Sequence, residues 1–128
     1  MTYEAQLRNK RDIVMQALEK YLPEQADKLE VRPTIGMENP WNYRNKSSFQ
    51  VRKEGKRVYA GLFAEGSHQL ININNCLVQH PLTSKITVGV RKILQKLNIP
   101  IYDGKTLNGL VRTIVVRTGL QTGETQVC

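Results

Sequence analysis

The stretch Lys46-Ser47-Ser48-Phe49-Gln50-Val51-Arg52-Lys53-Glu54-Gly55-Lys56-Arg57-Val58-Tyr59-Ala60-Gly61-Leu62-Phe63-Ala64 decides the fold class. Phe49 and Val51 stand two residues apart, and Val58, Ala60 and Leu62 repeat that spacing. In extended backbone this period places each set on one face. The polar connection Lys53-Glu54-Gly55-Lys56 lies between the two sets, and Gly55 is free to take the positive φ of a tight turn. The segment reads as a basic hairpin over 46–64, with strands at 46–53 and 57–64.

Toward the C-terminus, Gln69 to Ile73 is a third short strand, closed by Asn74-Asn75. Leu82, Ile86, Val90, Ile93, Leu94 and Leu97 then recur at helical spacing, which predicts a helix over 82–97. Pro81 fits the mouth of that helix, where a missing N–H costs little, and Asn98 with Pro100 ends it. Leu110 to Arg117 is rich in β-branched residues, with apolar side chains on both faces, as in a central strand. Gly119 to Gly123 forms a loop, and 124–128 begins a partner strand.

Toward the N-terminus, Tyr3, Leu7, Val14, Leu18 and Tyr21 predict a helix over 3–22, with Lys10 or Arg11 filling the missing turn. Thr2 can cap it and Pro23 stops it. Residues 24–40 are mixed, with a short extended piece at Val31–Ile35 broken by Pro33 and turns at Gly36 and Pro40. The expected architecture is α+β: a largely antiparallel sheet with two covering helices. Residues 1–3 lead straight into a helix, and 124–128 looks like a strand cut short, so the chain reads as a piece of a longer protein.

The 128 residues include 40% hydrophobic side chains, enough for a packed core. Lys and Arg number 19 against 11 Asp and Glu, a formal charge of +8, which attracts polyanions without selecting among them. No apolar run reaches 18 residues, and Met1 to Asp12 lacks the apolar core of a signal peptide; a cytoplasmic protein without a membrane partner is expected. The cysteines, Cys76 and Cys128, are too few for a disulfide framework or a zinc site of their own. A small buried hydrophobe is the ordinary role of such a cysteine. His68 and His80 have no acidic partner at ligand spacing.

The window 41–57 concentrates the charge: Arg44, Lys46, Arg52, Lys53, Lys56 and Arg57 against Glu54 alone, interleaved with Trp41, Tyr43 and Phe49. Cations neutralise phosphates, arginine forks clamp them, and exposed aromatic rings stack on unpaired bases. The same residues also fit a charged hairpin tip with Trp41 and Phe49 in the core. No dinucleotide fingerprint, phosphate-binding loop or nucleophile elbow occurs, so the residues alone argue for a binding module.

Several separated motifs carry a resemblance: Pro40-Trp41-Asn42-Tyr43-Arg44-Asn45-Lys46, Gly61-Leu62-Phe63, Gly66-Ser67-His68 and Ile73-Asn74-Asn75-Cys76, after the opening Tyr3-Glu4-Ala5-Gln6-Leu7. Together they resemble the central region of the bacterial RNA (uracil-5-)-methyltransferases. These enzymes methylate C5 of a uridine in 23S rRNA or tRNA with S-adenosylmethionine. The resemblance implies a central-domain fragment of a class I methyltransferase, without the Rossmann-like catalytic domain. The catalytic cysteine, which attacks C6 of a flipped uracil, and the general base would lie downstream. Members of the iron–sulfur type hold a [4Fe-4S] cluster on four cysteines, and Cys76 matches the fourth. The other three would precede the first helix, so neither a cluster nor S-adenosylmethionine is expected on this chain. The resemblance makes Arg44, Asn45 and Lys46 the first RNA-contact candidates, with Arg57 and His68 next. It implies an RNA partner, not DNA, and no methyl transfer by this chain alone. A free-standing nucleic-acid-binding module is the alternative, and a structural domain solubilised by its charge is a third reading.

Overall fold

The hairpin forms as the alternation requires. In the computed structural model, which describes residues 1–128, β1 (Lys46–Glu54) and β2 (Arg57–Phe63) pair antiparallel, with Val51 opposite Ala60 and Glu54 opposite Arg57. The turn is only Gly55-Lys56, with Gly55 at φ 57°. β3 (Leu70–Asn72) adds to β2, β4 (Thr113–Thr118) to the other edge of β1, and β5 (Thr125–Val127) to β4. The order is β3-β2-β1-β4-β5, and every pairing of these strands is antiparallel. With two long helices, α1 (Tyr3–Tyr21) and α3 (Pro81–Lys96), and the single turn α2 (Pro23–Ala26), the fold is α+β and contains no Rossmann-like parallel sheet.

The chain divides into two compact units, Met1–Pro40 and Trp41–Cys128. In the first, α1 starts at the Thr2 cap, whose hydroxyl accepts from Ala5 N at 3.3 Å. Its apolar stripe is not enclosed: no residue of α1 is buried, and Val14 and Tyr21 lie open. Residues 31–37 run along it without regular structure. Thr34 Oγ1 donates to Leu7 O (3.0 Å), Arg11 Nε to Val31 O (2.9 Å) and Met37 N to Tyr3 Oη (2.8 Å). Gly36 fits there because a Cβ would press on Leu7 Cδ1.

The core belongs to the second unit. Phe49, Val51, Val58, Ala60, Ile114 and Val116 are buried on one sheet face, and Ile86, Val90 and Leu94 of α3 pack against them. Removing each large side chain from water contributes about 2 kcal/mol. The packed face keeps Ile86, Val90 and Leu94 of the predicted stripe but is rotated toward threonine and serine. Thr83, Ser84 and Thr87 are the buried positions, while Ile93 and Leu97 are exposed. Hydroxyl pairing makes polar burial affordable: Thr83 Oγ1 meets Thr118 Oγ1 at 3.0 Å, and Ser47 Oγ meets Thr87 Oγ1 at 3.3 Å.

The predicted strand 110–117 begins three residues later, at Thr113. Leu110 is exposed, and its N–H donates to Pro100 O at 3.0 Å. Gly109, at φ 119°, brings the backbone against the Ile101 carbonyl, where a Cβ would clash. Residues 101–111 thus close on themselves, with bridges Ile101–Val111 and Asp103–Asn108, before the chain enters the sheet.

Candidate nucleic-acid interface

Charge is divided unevenly between the units. Trp41–Cys128 carries 13 Lys and Arg against four acids, a net +9, while Met1–Pro40 carries six against seven, a net −1. The one carboxylate–cation pair is Arg32–Glu30, at 3.9 Å in the first unit. The cations of the sheet unit are therefore not neutralised by carboxylates within ion-pair distance.

The segment Trp41–Lys46 is held by its backbone. Asn42 N donates to Leu77 O (2.9 Å), Arg44 N to Val78 O (2.8 Å), and His80 N to Arg44 O (2.8 Å). Asn42 takes φ 57°, which asparagine tolerates. With its amide turned to satisfy its hydrogen bonds, Asn42 donates to Gln79 O (2.9 Å) and Leu77 O (3.2 Å). The strapped segment leaves Arg44, Asn45 and Lys46 exposed, with Trp41 and Tyr43 about half exposed. Phe49 is the aromatic that enters the core. Arg44 Nε donates to Lys46 O at 3.1 Å, which orients the guanidinium along the start of β1. Asn45 gives its carbonyl to Thr118 N (2.9 Å), so its side chain stays exposed on a fixed backbone.

Lys46 stands opposite Arg117 of β4. Directly opposed like charges are destabilising on a sheet, and an anion between them relieves the repulsion. By strand alternation, Lys46, Ser48, Gln50 and Arg52 share the face turned away from α3, with Val115 and Arg117 beside them.

The other two RNA-contact candidates lie elsewhere. Arg57 opens β2 and lines a shallow depression with Tyr59, Arg91 and Lys92. Arg91 is fixed there by Asn72 Oδ1 (2.7 Å) and Asn74 Oδ1 (2.8 Å). His68 is exposed in the loop after β2, its ring 6.1 Å from that of Phe63, and lines a cavity with Arg52, Tyr102, Lys105 and Arg112. The sequence ranks Arg44, Asn45 and Lys46 ahead of Arg57 and His68; the structure likewise groups only the first three. Tyr102, Lys105, Arg112 and Arg117 carry no sequence signal of their own: the pairing of β4 with β1 brings Arg117 beside Lys46, the Val51–Arg112 hydrogen bond brings Arg112 to the hairpin, and the closed loop 101–111 carries Tyr102 and Lys105.

Cys76 is half-buried and free, and Cys128 is free and exposed. No group of three or more His, Cys, Asp or Glu side chains is placed to hold a metal ion. A [4Fe-4S] cluster needs four thiolate positions, so the donor set of this chain does not fit one. No helix is long and apolar enough to cross a membrane.

No protein-family model matches the chain. Across 99% of its length it is 56% identical to an uncharacterized RNA methyltransferase of Listeria monocytogenes serotype 4b (strain F2365). The chain is similar to bacterial RNA methyltransferases. It is 54% identical to one from Bacillus anthracis and 49% identical to one from Enterococcus faecalis, again over 99% of the chain. It spans only 28% of the length of each of these relatives. Among solved structures, Pyrococcus abyssi tRNA (uracil-54, C5)-methyltransferase in complex with S-adenosyl-L-homocysteine superimposes with a TM-score of 0.70 over 99% of this chain and 28% of that one. At 23% identity this likeness concerns the fold.

Proposed function

We propose that this chain is the central-domain part of an S-adenosylmethionine-dependent RNA methyltransferase that forms 5-methyluridine in 23S rRNA or tRNA. Its role there is to supply RNA-binding and structural surface. The observation that carries the reading is similarity to RNA methyltransferases along 99% of the chain, at 56% identity to that of Listeria monocytogenes. The charge distribution supports the RNA-contact role, since a net +9 unit without a neutralising carboxylate pair suits a phosphate backbone. Arg44, Asn45 and Lys46 form the primary contact, and Arg57 and His68 extend it. Cys76 would be one ligand of a cluster completed by cysteines outside this chain.

The test uses the purified chain with 23S rRNA and tRNA transcripts and radiolabelled S-adenosylmethionine. The expected result is salt-dependent binding of a transcript without methyl transfer. Absence of binding to both contradicts the RNA-contact role. Methyl transfer by the chain alone contradicts its assignment as a non-catalytic part.

A further inference from the structure

The cavity between the loop 102–105 and the hairpin is a second, separately built site. It measures about 510 Å³ and is lined by Arg52, His68, Tyr102, Asp103, Lys105 and Arg112. Two guanidinium groups lie within cation–π distance of rings here. Arg52 Cζ stands 5.2 Å from the centre of Phe63, and Arg112 Cζ stands 5.4 Å from the centre of Tyr102. A guanidinium beside a ring still offers its N–H donors, and a phosphate can take two of them. Arg52 spends one donor on Val51 O, at 3.3 Å, and neither arginine has a carboxylate partner within ion-pair distance. The single acid, Asp103, already accepts from Lys105 N at 2.9 Å.

The scaffold is rigid on both sides. Val51 N donates to Arg112 O (2.9 Å), which fixes the two arginine-bearing backbones against each other. Tyr102 N donates to Val111 O (2.9 Å) and Asp103 N to Asn108 O (2.8 Å), which hold the loop closed. Holding two guanidinium groups in place before a ligand arrives lowers the ordering cost of binding.

We propose that this cavity binds a phosphodiester of single-stranded RNA, clamped by Arg52, Lys105 and Arg112, with the adjoining unpaired nucleotide against Tyr102 and His68. The proposal rests on the RNA-contact reading above and adds a site that joins Arg52 of the basic window to Tyr102, Lys105 and Arg112, which lie outside it. Single-stranded RNA is favoured over duplex because an aromatic and an imidazole ring flank the cations, and unpaired bases use such rings as platforms.

The test is fluorescence anisotropy of a labelled short oligouridine RNA on the 128-residue chain, with salt titration, for wild type, Lys105→Gln/Arg112→Gln and Arg44→Gln/Lys46→Gln. Loss of the cavity cations should weaken binding about tenfold and flatten the log–log salt slope by about 0.7, the value for one lost phosphate contact. Uridine 5′-monophosphate, followed by amide NMR on the wild type, should shift residues 102–105 and 112; this arm decides the matter if the variant proves unfolded by circular dichroism. Wild-type affinity in the Lys105/Arg112 variant, with loss in the Arg44/Lys46 variant, overturns the cavity site and leaves the broader reading standing. No RNA binding by the wild type overturns both. Shifts at the same amides with phosphatidylglycerol vesicles but not with RNA would make the site one for lipid headgroups and overturn the proposal.

Discussion

At the scale of single residues, Arg44 and Lys46 show how a small chain presents charge without burying it. The backbone of Arg44 is used twice, toward Val78 and His80, and its side chain is steered by the Lys46 carbonyl. Arg44→Ala/Lys46→Ala should therefore leave the melting curve nearly unchanged. It should reduce the salt slope of RNA binding by about 1.4, measured by anisotropy. The hydroxyl pairs between α3 and the sheet behave in the opposite way. Thr83→Val removes the nearer of the two hydroxyl partners of Thr118 Oγ1, leaving Thr125 Oγ1 at 3.5 Å, and should cost about 1–2 kcal/mol in urea unfolding, with no change in RNA affinity. The exposed cations of window 41–57 were legible in the sequence because charge density needs no knowledge of the fold. The hydroxyl seam was not, because threonine at helical spacing looks like surface until a facing hydroxyl is known. The cavity around Arg112 was hidden for a related reason: it depends on contacts between residues far apart in the chain, such as Val51 and Arg112.

At the scale of elements, the hairpin was the easiest feature to read. Period-two burial along β1, the same alternation at Val58 and Ala60 of β2, and a glycine turn point one way, although Leu62 of the expected apolar face is exposed. Strand β4 was partly legible; its β-branched run was found, but its start was set by Gly109 and the Pro100 carbonyl rather than by propensity. The buried face of α3 was misjudged through Ile93 and Leu97, which tertiary packing leaves outside. Gly61 carries an element-scale prediction. Its missing Cβ lets the Ile71 carbonyl of β3 lie against β2. Gly61→Ala should push β3 away and cost about 3 kcal/mol by denaturant titration, with faster amide exchange at Leu70–Asn72. A melting curve equal to wild type would contradict that packing. Ile114→Ala, on the central seam, should cost about 2–4 kcal/mol by the same measurement.

At the scale of the whole molecule, core and charge lie together in Trp41–Cys128. All six buried apolar core residues fall there, and so does the net +9 charge. Removing Met1–Pro40 should therefore leave a chain that unfolds cooperatively and still binds RNA; a non-cooperative melt of the shortened chain would contradict the assignment of the core. The division also explains why composition could say only that a polyanion is the partner. An average of +8 over 128 residues conceals one basic unit and one nearly neutral unit, and only contacts between distant residues draw the line between them. The central claim is that RNA meets the basic unit at the strapped segment before β1. Ultraviolet cross-linking of the chain to 23S rRNA and tRNA transcripts, with the linked peptides mapped by mass spectrometry, tests it most directly. The account expects cross-links in peptides containing Trp41, Tyr43 and Lys46, lost on competition with unlabelled transcript; cross-links confined to residues 1–40, or none, would contradict it.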